Sequence, residues 1–363
     1  MLKAGCRLAT AGEFTQRAFF NGKMDLSQAE AVADLIASSS AASHRLAMNQ
    51  MRGGVSKELN NLRRQLLEFV SLIELELDFS EEDVEFADRS ELIELIKNVK
   101  SVIGNLADSF STGNAVKSGI PVVIVGETNA GKSTLLNFLL KDEKAIVSDI
   151  HGTTRDAIED TVNINGILFR LIDTAGIRES DDEIETLGIE RTFKKIEQAN
   201  IVVWMIDATQ FSEKIDEVAE KIIPKTLDKK LIIIFNKIDK ISAEELKLLE
   251  KEFLTDVNAT RIYLSAKYKK NTEKLEQALL EAAGIPQIGE NDVIVTNMRH
   301  YEALTNAFDA ASRIETGLHK GISGDFISQD IRECMHYLGE ITGSEITTDE
   351  VLGNIFGKFC IGK

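Results

Sequence analysis

The chain has 363 residues, 43% hydrophobic and 28% charged, a length for two or three domains with their own cores and a composition that excludes a disordered or fibrous protein. No apolar run approaches the ~18 residues that a membrane span needs, and Lys3, Gly5 and Arg7 interrupt any apolar signal segment at the start, so a cytoplasmic protein with no membrane partner is expected. The formal charge of -17 opposes a nucleic-acid partner only until its distribution is read: residues 1 to 64 hold nine bases against five acids, whereas Glu68 to Leu95 holds 11 carboxylates against one base, Arg89.

The pattern from Asp25 to Phe110 is helical. Ser27-Gln28-Ala29-Glu30 has capping-box spacing, followed by a stripe of Ala29, Val32, Ala33 and Ile36. A second stripe is Val55, Leu59, Leu62, Leu66, Phe69 and Ile73, and a third is Leu92, Ile96, Val99, Ile103, Leu106 and Phe110. Alternating steps of four and three line one helix face, the geometry of an antiparallel bundle. The acidic run between the second and third stripes reads as solvated helix face and loop.

At Ser118 the period changes. Five β-branched runs follow, Ile120 to Val125, Leu168 to Ile172, Ile201 to Ile206, Leu231 to Phe235 and Ile262 to Leu264, mostly separated by helical lengths of chain. Continuous apolar runs of this kind predict a largely parallel sheet covered on both faces. Thr161 to Ile164 is a further strand, joined to the next through Asn165-Gly166, a hairpin turn that puts one antiparallel edge on the sheet.

After Pro286 helical stripes return: Leu304, Ala307, Ala311, Ile314 and Leu318, then Ile327, Ile331, Cys334, Leu338 and Ile341. Thr347 to Glu350 has capping-box spacing for a last short helix. Neither helical flank is a complete bundle, so the fold expected is α/β plus all-α: a sheet domain inserted into a helical bundle domain. The three cysteines, Cys6, Cys334 and Cys360, offer neither a disulfide framework nor paired zinc-ligand spacing.

Gly126-Glu127-Thr128-Asn129-Ala130-Gly131-Lys132-Ser133, with Thr134 beyond, fits GxxxxGK[ST] between a strand and a helix. Glycines let backbone N–H groups turn inward around phosphate at a helix N-terminus, Lys132 reaches the β- and γ-phosphates, and the Ser133 hydroxyl ligates Mg2+. Asp173-Thr174-Ala175-Gly176 ends a strand, where Asp173 holds magnesium through water and the Gly176 N–H senses the γ-phosphate. Asn236-Lys237-Ile238-Asp239 ends another; the Asp239 carboxylate accepts from guanine N1–H and the exocyclic amine, donors that adenine does not offer together. Ser265-Ala266-Lys267 supplies backbone against the base oxygen. Four such segments in order, each at the carboxyl end of a strand, predict a Ras-like P-loop GTPase domain binding GTP or GDP.

In Gly152-Thr153-Thr154-Arg155-Asp156, Thr154 is the choice to complete the magnesium shell, with Thr153 the runner-up. The residue after Gly176 is Ile177, where Ras-like switches carry a glutamine that positions water. Glu179, Asp181, Asp182, Glu183 and Glu185 are the nearby carboxylates for that task, and the residues alone do not single one out. For the missing positive charge, Asn129 offers a hard oxygen to a monovalent cation, Arg155 is the in-chain competitor, and capping of the loop is a structural role for Asn129.

Several segments together resemble one family, the MnmE (TrmE) tRNA-modification GTPases: Gly12-Glu13-Phe14-Thr15, Asn21-Gly22-Lys23, Asp25 to Ile36, the loop at Asn129 to Ser133, Gly152 to Asp156, Gly188-Ile189-Glu190-Arg191 and the terminal Phe359-Cys360-Ile361-Gly362-Lys363. The resemblance implies potassium-dependent dimerisation of the GTPase domains, with Asn129 among the potassium ligands and Glu185 the catalytic glutamate that orients water. It implies a flavoprotein partner of the MnmG type, installing an aminomethyl-type group at C5 of the wobble uridine of certain tRNAs from a folate one-carbon donor. It divides the chain into residues 1–21, a remnant of an N-terminal folate-binding domain; 22–117, the first part of a helical domain; 118–286, the GTPase domain; and 287–363, the second helical part. Cys360 is then either an inert thiol or a participant in the modification chemistry. An Era-like GTP-dependent RNA or ribosome-assembly switch is the alternative; it calls for an appended basic RNA-binding domain, whereas the C-terminal region is helical and unremarkable in charge.

Overall fold

The computed structural model describes residues 7–78, 88–141, 160–172, 193–210, 213–252, 257–285, 289 and 292–344. The chain divides into two compact units, one comprising Met1–Ser38, Ala42–Asn114 and Ile288–Lys363, the other Ser39–Ala41 and Ala115–Gln287. The second is thus an insertion in the sequence of the first.

The helical unit contains α1 (Glu13–Phe20), α2 (Leu26–Ala37), α3 (Ala41–Met51), α4 (Gly54–Asp78) and most of α5 (Arg89–Ser118). After the insertion, α10 (Met298–Lys320) and α11 (Gly324–Thr342) return to it. Its core takes Val55, Leu59, Leu62, Leu66 and Ile73 from α4, and Leu92, Ile96, Val99, Ile103 and Leu106 from α5. Leu304, Ala307, Ala311 and Ile314 of α10 join them, with Ile327, Ile331, Cys334, Leu338 and Ile341 of α11. The 4-3 stripes therefore bury as expected, each fully buried Leu or Ile contributing about 1.5–3 kcal/mol of transfer free energy. Phe69, Phe110 and Leu318 only flank the core; on α4 the deep position belongs to Val70, the neighbour of Phe69.

Helix α2 departs from expectation. Its N-cap is Asp25, whose side chain accepts from the Gln28 N–H (2.8 Å) while the Gln28 side-chain oxygen accepts from the Asp25 N–H (3.0 Å). The box starts two residues earlier than at Ser27 because Asp25 already holds extended backbone angles (φ -87, ψ 177) with helix beginning at Leu26. The buried face is Ser27 and Ala31, one turn apart, while Ile36 is 82% exposed. Small residues on that face admit Gln50 of α3, whose amide donates to the Ser27 carbonyl (3.3 Å) and hydroxyl (3.4 Å). The box at Thr347 to Glu350 lies outside the described residues.

Among the described residues the α/β unit carries six strands: β1 (Ile120–Gly126), β2 (Asp160–Ile164), β3 (Ile167–Leu171), β4 (Ile201–Asp207), β5 (Lys230–Asn236) and β6 (Thr260–Tyr263). Their order is β2-β3-β1-β4-β5-β6. Of these six strands, β2 and β3 pair antiparallel, turning through Asn165 (φ 50) and Gly166 (φ 84), both left-handed as a two-residue turn requires. Helix α6 (Lys132–Lys141) follows β1, α7 (Glu213–Ile222) lies between β4 and β5, α8 (Ala243–Glu252) between β5 and β6, and α9 (Glu273–Ala283) follows β6. Alternate residues of β1 enter opposite cores: Val122 and Ile124 join Leu135, Leu136 and Leu279, whereas Val123 and Val125 join Trp204 and Ile215. Both sheet faces are therefore covered. Because β1, β4, β5 and β6 run parallel, the loops that follow them emerge at one edge.

Candidate nucleotide site

The loop between β1 and α6 is shaped by close approach. A Cβ on Gly126 (φ 150) would lie 2.2 Å from the Met205 carbonyl oxygen, and one on Gly131 (φ 106) 2.2 Å from the Asn236 side-chain nitrogen. Glycine alone satisfies both the angles and the space, so the loop backbone packs directly on the ends of β4 and β5. Asn129, at φ 66, is exposed beside them. Lys132 opens α6 and folds back over the loop, its ammonium donating to the carbonyls of Gly126 (2.8 Å) and Glu127 (2.7 Å). Burial lowers its pKa; the Glu127 charge opposes that and the Lys195 charge adds to it. Ser133 and Thr134 stand exposed in the first turn of α6.

At the other end, Asn236 is 4% exposed. Its amide nitrogen donates to the Ala130 carbonyl (2.7 Å) and its oxygen accepts from the Ala266 N–H (3.0 Å). One side chain thus ties the loop after β1 to the loop after β6. The exposed Asp239 carboxylate accepts from the Ser265 hydroxyl at 2.5 Å. Ser265 is itself buried and paired in an antiparallel bridge with Lys270. The Lys267 ammonium stands 5.3 Å from the centroid of the exposed Tyr268 ring.

Asp207 belongs to this edge although no motif announces it. It ends β4 opposite Asn236 in register, pairs with the Lys237 ammonium at 2.5 Å, and accepts from the Thr209 N–H (3.0 Å) and hydroxyl (2.8 Å). Burial would raise its pKa; the Lys237 and Thr209 bonds outweigh that and hold it below the usual carboxylate range. Its only signal in the chain is an acid directly after an all-apolar strand, which is not specific.

Gly126, Asn129 to Thr134, Asn236, Lys237, Asp239 and Ser265 to Lys267 therefore all stand on the strand ends, loops or helix starts at this one edge. Thr153, Thr154, Asp173, Gly176, Glu185 and Cys360 lie outside the described residues. Of the magnesium set, Ser133 alone is described. Ser133, an exposed residue two positions from the glycine-forced bend, carries a hard hydroxyl oxygen of the kind suited to that ion.

A parallel sheet with a glycine-forced loop after β1, an Asn-Lys-x-Asp turn after β5 and a Ser-Ala-Lys turn after β6 defines a Ras-like P-loop GTPase domain, here inserted into a helical bundle domain. The family model described as the MnmE helical domain matches residues 26–360. The tRNA modification GTPase MnmE of Bacteroides thetaiotaomicron is 62% identical over 366 residues, covering 100% of this chain and 78% of that protein; its counterpart in Bacteroides fragilis is 61% identical over 365 residues, with the same coverage. The chain belongs to the MnmE family. Among solved structures, Era of Aquifex aeolicus bound to GDP and AlF4- is 28% identical over 52% of this chain and 66% of that chain, with a TM-score of 0.34.

Proposed function

We propose that the protein hydrolyses GTP to GDP and phosphate in its domain at 118–286 and couples the cycle to modification of tRNA at C5 of the wobble uridine, in the cytoplasm, with an MnmG-type flavoprotein. The observation that carries the GTPase reading is the double hydrogen bond of Asn236, which makes the phosphate loop and the base-side loop one piece. The Gly126 and Gly131 bends present backbone N–H groups to the phosphates, and Lys132 adds charge there. Asp239, oriented by Ser265, accepts from guanine; against adenine it would stand unpaired, a discrimination of about 10³-fold or more.

Glu185 orients the attacking water, and Gly176 responds to the γ-phosphate. Magnesium, held through Ser133, Thr154 (or Thr153) and Asp173, and potassium, held through Asn129, supply neutralisation of phosphate charge when bound. Two GTPase domains pair during hydrolysis, and Cys360 serves the modification chemistry, for which a folate supplies the one-carbon unit.

Hydrolysis by the full chain should be faster in KCl than in NaCl at equal ionic strength and uncompeted by ATP. Equal rates in the two salts would remove the cation role of Asn129, and competition by ATP would overturn the guanine site. Wobble-nucleoside analysis of tRNA from cells lacking the gene tests the coupling to tRNA; an unchanged nucleoside would refute it.

A further inference from the structure

Among the described residues of the helical unit, several bases are matched by carboxylates. Arg89 pairs with Glu76 (2.6 Å), Lys100 with Glu315 (2.6 Å), Arg299 with Glu30 (2.9 Å), Arg313 with Asp330 (2.9 Å) and Glu333 (2.6 Å), and Arg332 with Glu74. On one helix face, bases without a carboxylate partner are grouped together. On α4, Lys57, Asn60, Asn61 and Arg64 follow the spacing i, i+3, i+4, i+7, and all four are exposed. They lie on the side of α4 opposite Leu59, Leu62 and Leu66, which enter the core. Arg52 is exposed in the turn that leads into the helix. Among the described residues none of Arg52, Lys57 and Arg64 is in an ion pair; Arg64 donates instead to the Asn61 side-chain oxygen (2.8 Å). Glu58 is the exposed carboxylate on the flank of this stripe.

We infer that this face of α4 docks the phosphate backbone of an RNA. The grouping of unpaired bases on one helix face, in a chain of net charge -17, is what an anionic partner explains by charge complementarity. The uncharged members decide between partners. Asn60 and Asn61 both donate and accept, as phosphate oxygens and ribose hydroxyls require. A protein partner would call for an apolar or aromatic centre, and every exposed residue of α4 from Lys57 to Arg64 is polar. Lys57 to Arg64 spans about 10 Å of helix axis, a reach for two or more phosphates. No residue of the nucleotide site takes part, so the face binds RNA independently of GTP chemistry.

This inference rests on the tRNA reading proposed above and places where that substrate touches the chain. The test is the full chain titrated with an unmodified tRNA transcript over a series of salt concentrations, with GTP turnover measured alongside. K57Q/R64Q should weaken binding at low salt by about tenfold and reduce the slope of log affinity against log salt by about two, one phosphate per base. GTP turnover without RNA should stay at the wild-type rate, and K57R/R64K should restore both affinity and slope.

K247Q/K251Q removes the same charge from exposed positions of α8 and should leave the titration unchanged. An unaltered slope in K57Q/R64Q, or an equal loss in K247Q/K251Q, overturns the inference. So does a variant that keeps tRNA but no longer co-sediments with the flavoprotein, which would make the face a protein contact. Wild-type protein that binds the transcript through this face yet supports no wobble modification in a reconstituted assay would refute the proposed function and leave the docking face standing.

Discussion

The two units bury polar groups to different ends. In the α/β unit Asp207, Asn236 and Ser265 gather at the carboxyl edge of the sheet, each bonded to a loop that carries a nucleotide motif. In the helical unit the buried polar groups Ser27, Gln50, Thr296 and His300 join helices to one another. Beside them Glu30 of α2 accepts from Asn297 (3.2 Å) and Arg299 (2.9 Å), with His300 Nε2 at 2.8 Å. Arg299 also donates to the Ile341 carbonyl at the end of α11 (3.2 Å). Buried polar networks thus tie the nucleotide-motif loops to one another in one unit and hold helices together in the other, a division that substitution can break.

The largest effect is expected at the phosphate loop. Gly131→Ala forces a methyl group onto the Asn236 amide and a side chain into φ 106, so the α/β unit should lose about 3 kcal/mol or more. Nucleotide binding, followed by fluorescent GDP titration, should fall beyond detection, while the helical unit keeps its own melting transition. Next comes Asp239→Asn, which replaces an acceptor with a donor opposite guanine. GTP affinity should fall about 10²- to 10³-fold with the melting temperature nearly unchanged, because Asp239 is exposed. A large thermal loss would place Asp239 with the groups that hold the fold.

What the chain reveals before folding divides along the same line. The α4, α5, α10 and α11 stripes and the six strands were legible because burial on one or both faces writes a period into local sequence. The nucleotide loops were legible because phosphate and guanine demand particular residues at short spacing. Long-range polar pairing leaves no such trace: Glu30 and Arg299 meet across 269 positions, and Asp207 meets Lys237 across 30. The misplaced cap on α2 has a local cause. Asp25 and Ser27 are both cap formers, each with a Gln or Glu three residues on, and only the entry angle of the chain chooses between them.

Glu30→Gln should sharpen the helical side of the comparison. Burial would raise the Glu30 pKa, but its bonds to His300 and Arg299 outweigh that and hold it below the usual carboxylate value of 4.5. Its contribution to stability is therefore present above about pH 4.5 and is lost as pH falls through the lower folded value. The amide variant should cost about 2 kcal/mol at pH 7 and show a shallower loss of stability on acidification below pH 4.5, read by urea unfolding. GTP turnover per folded molecule should not change.

Asp207→Asn is the reciprocal and smallest case. The retained oxygen still accepts from the Thr209 N–H and hydroxyl, so the turn after β4 survives. What is lost is the negative charge that holds the Lys237 ammonium, itself a quarter exposed. Stability should therefore change by less than about 1 kcal/mol. GTP affinity should fall about three- to tenfold as Lys237 loses its fixed position, with turnover at saturating GTP close to wild type. A stability loss comparable to that of Glu30→Gln, at unaltered GTP affinity, would put Asp207 among the groups that hold the fold together and dissolve the distinction between the two units.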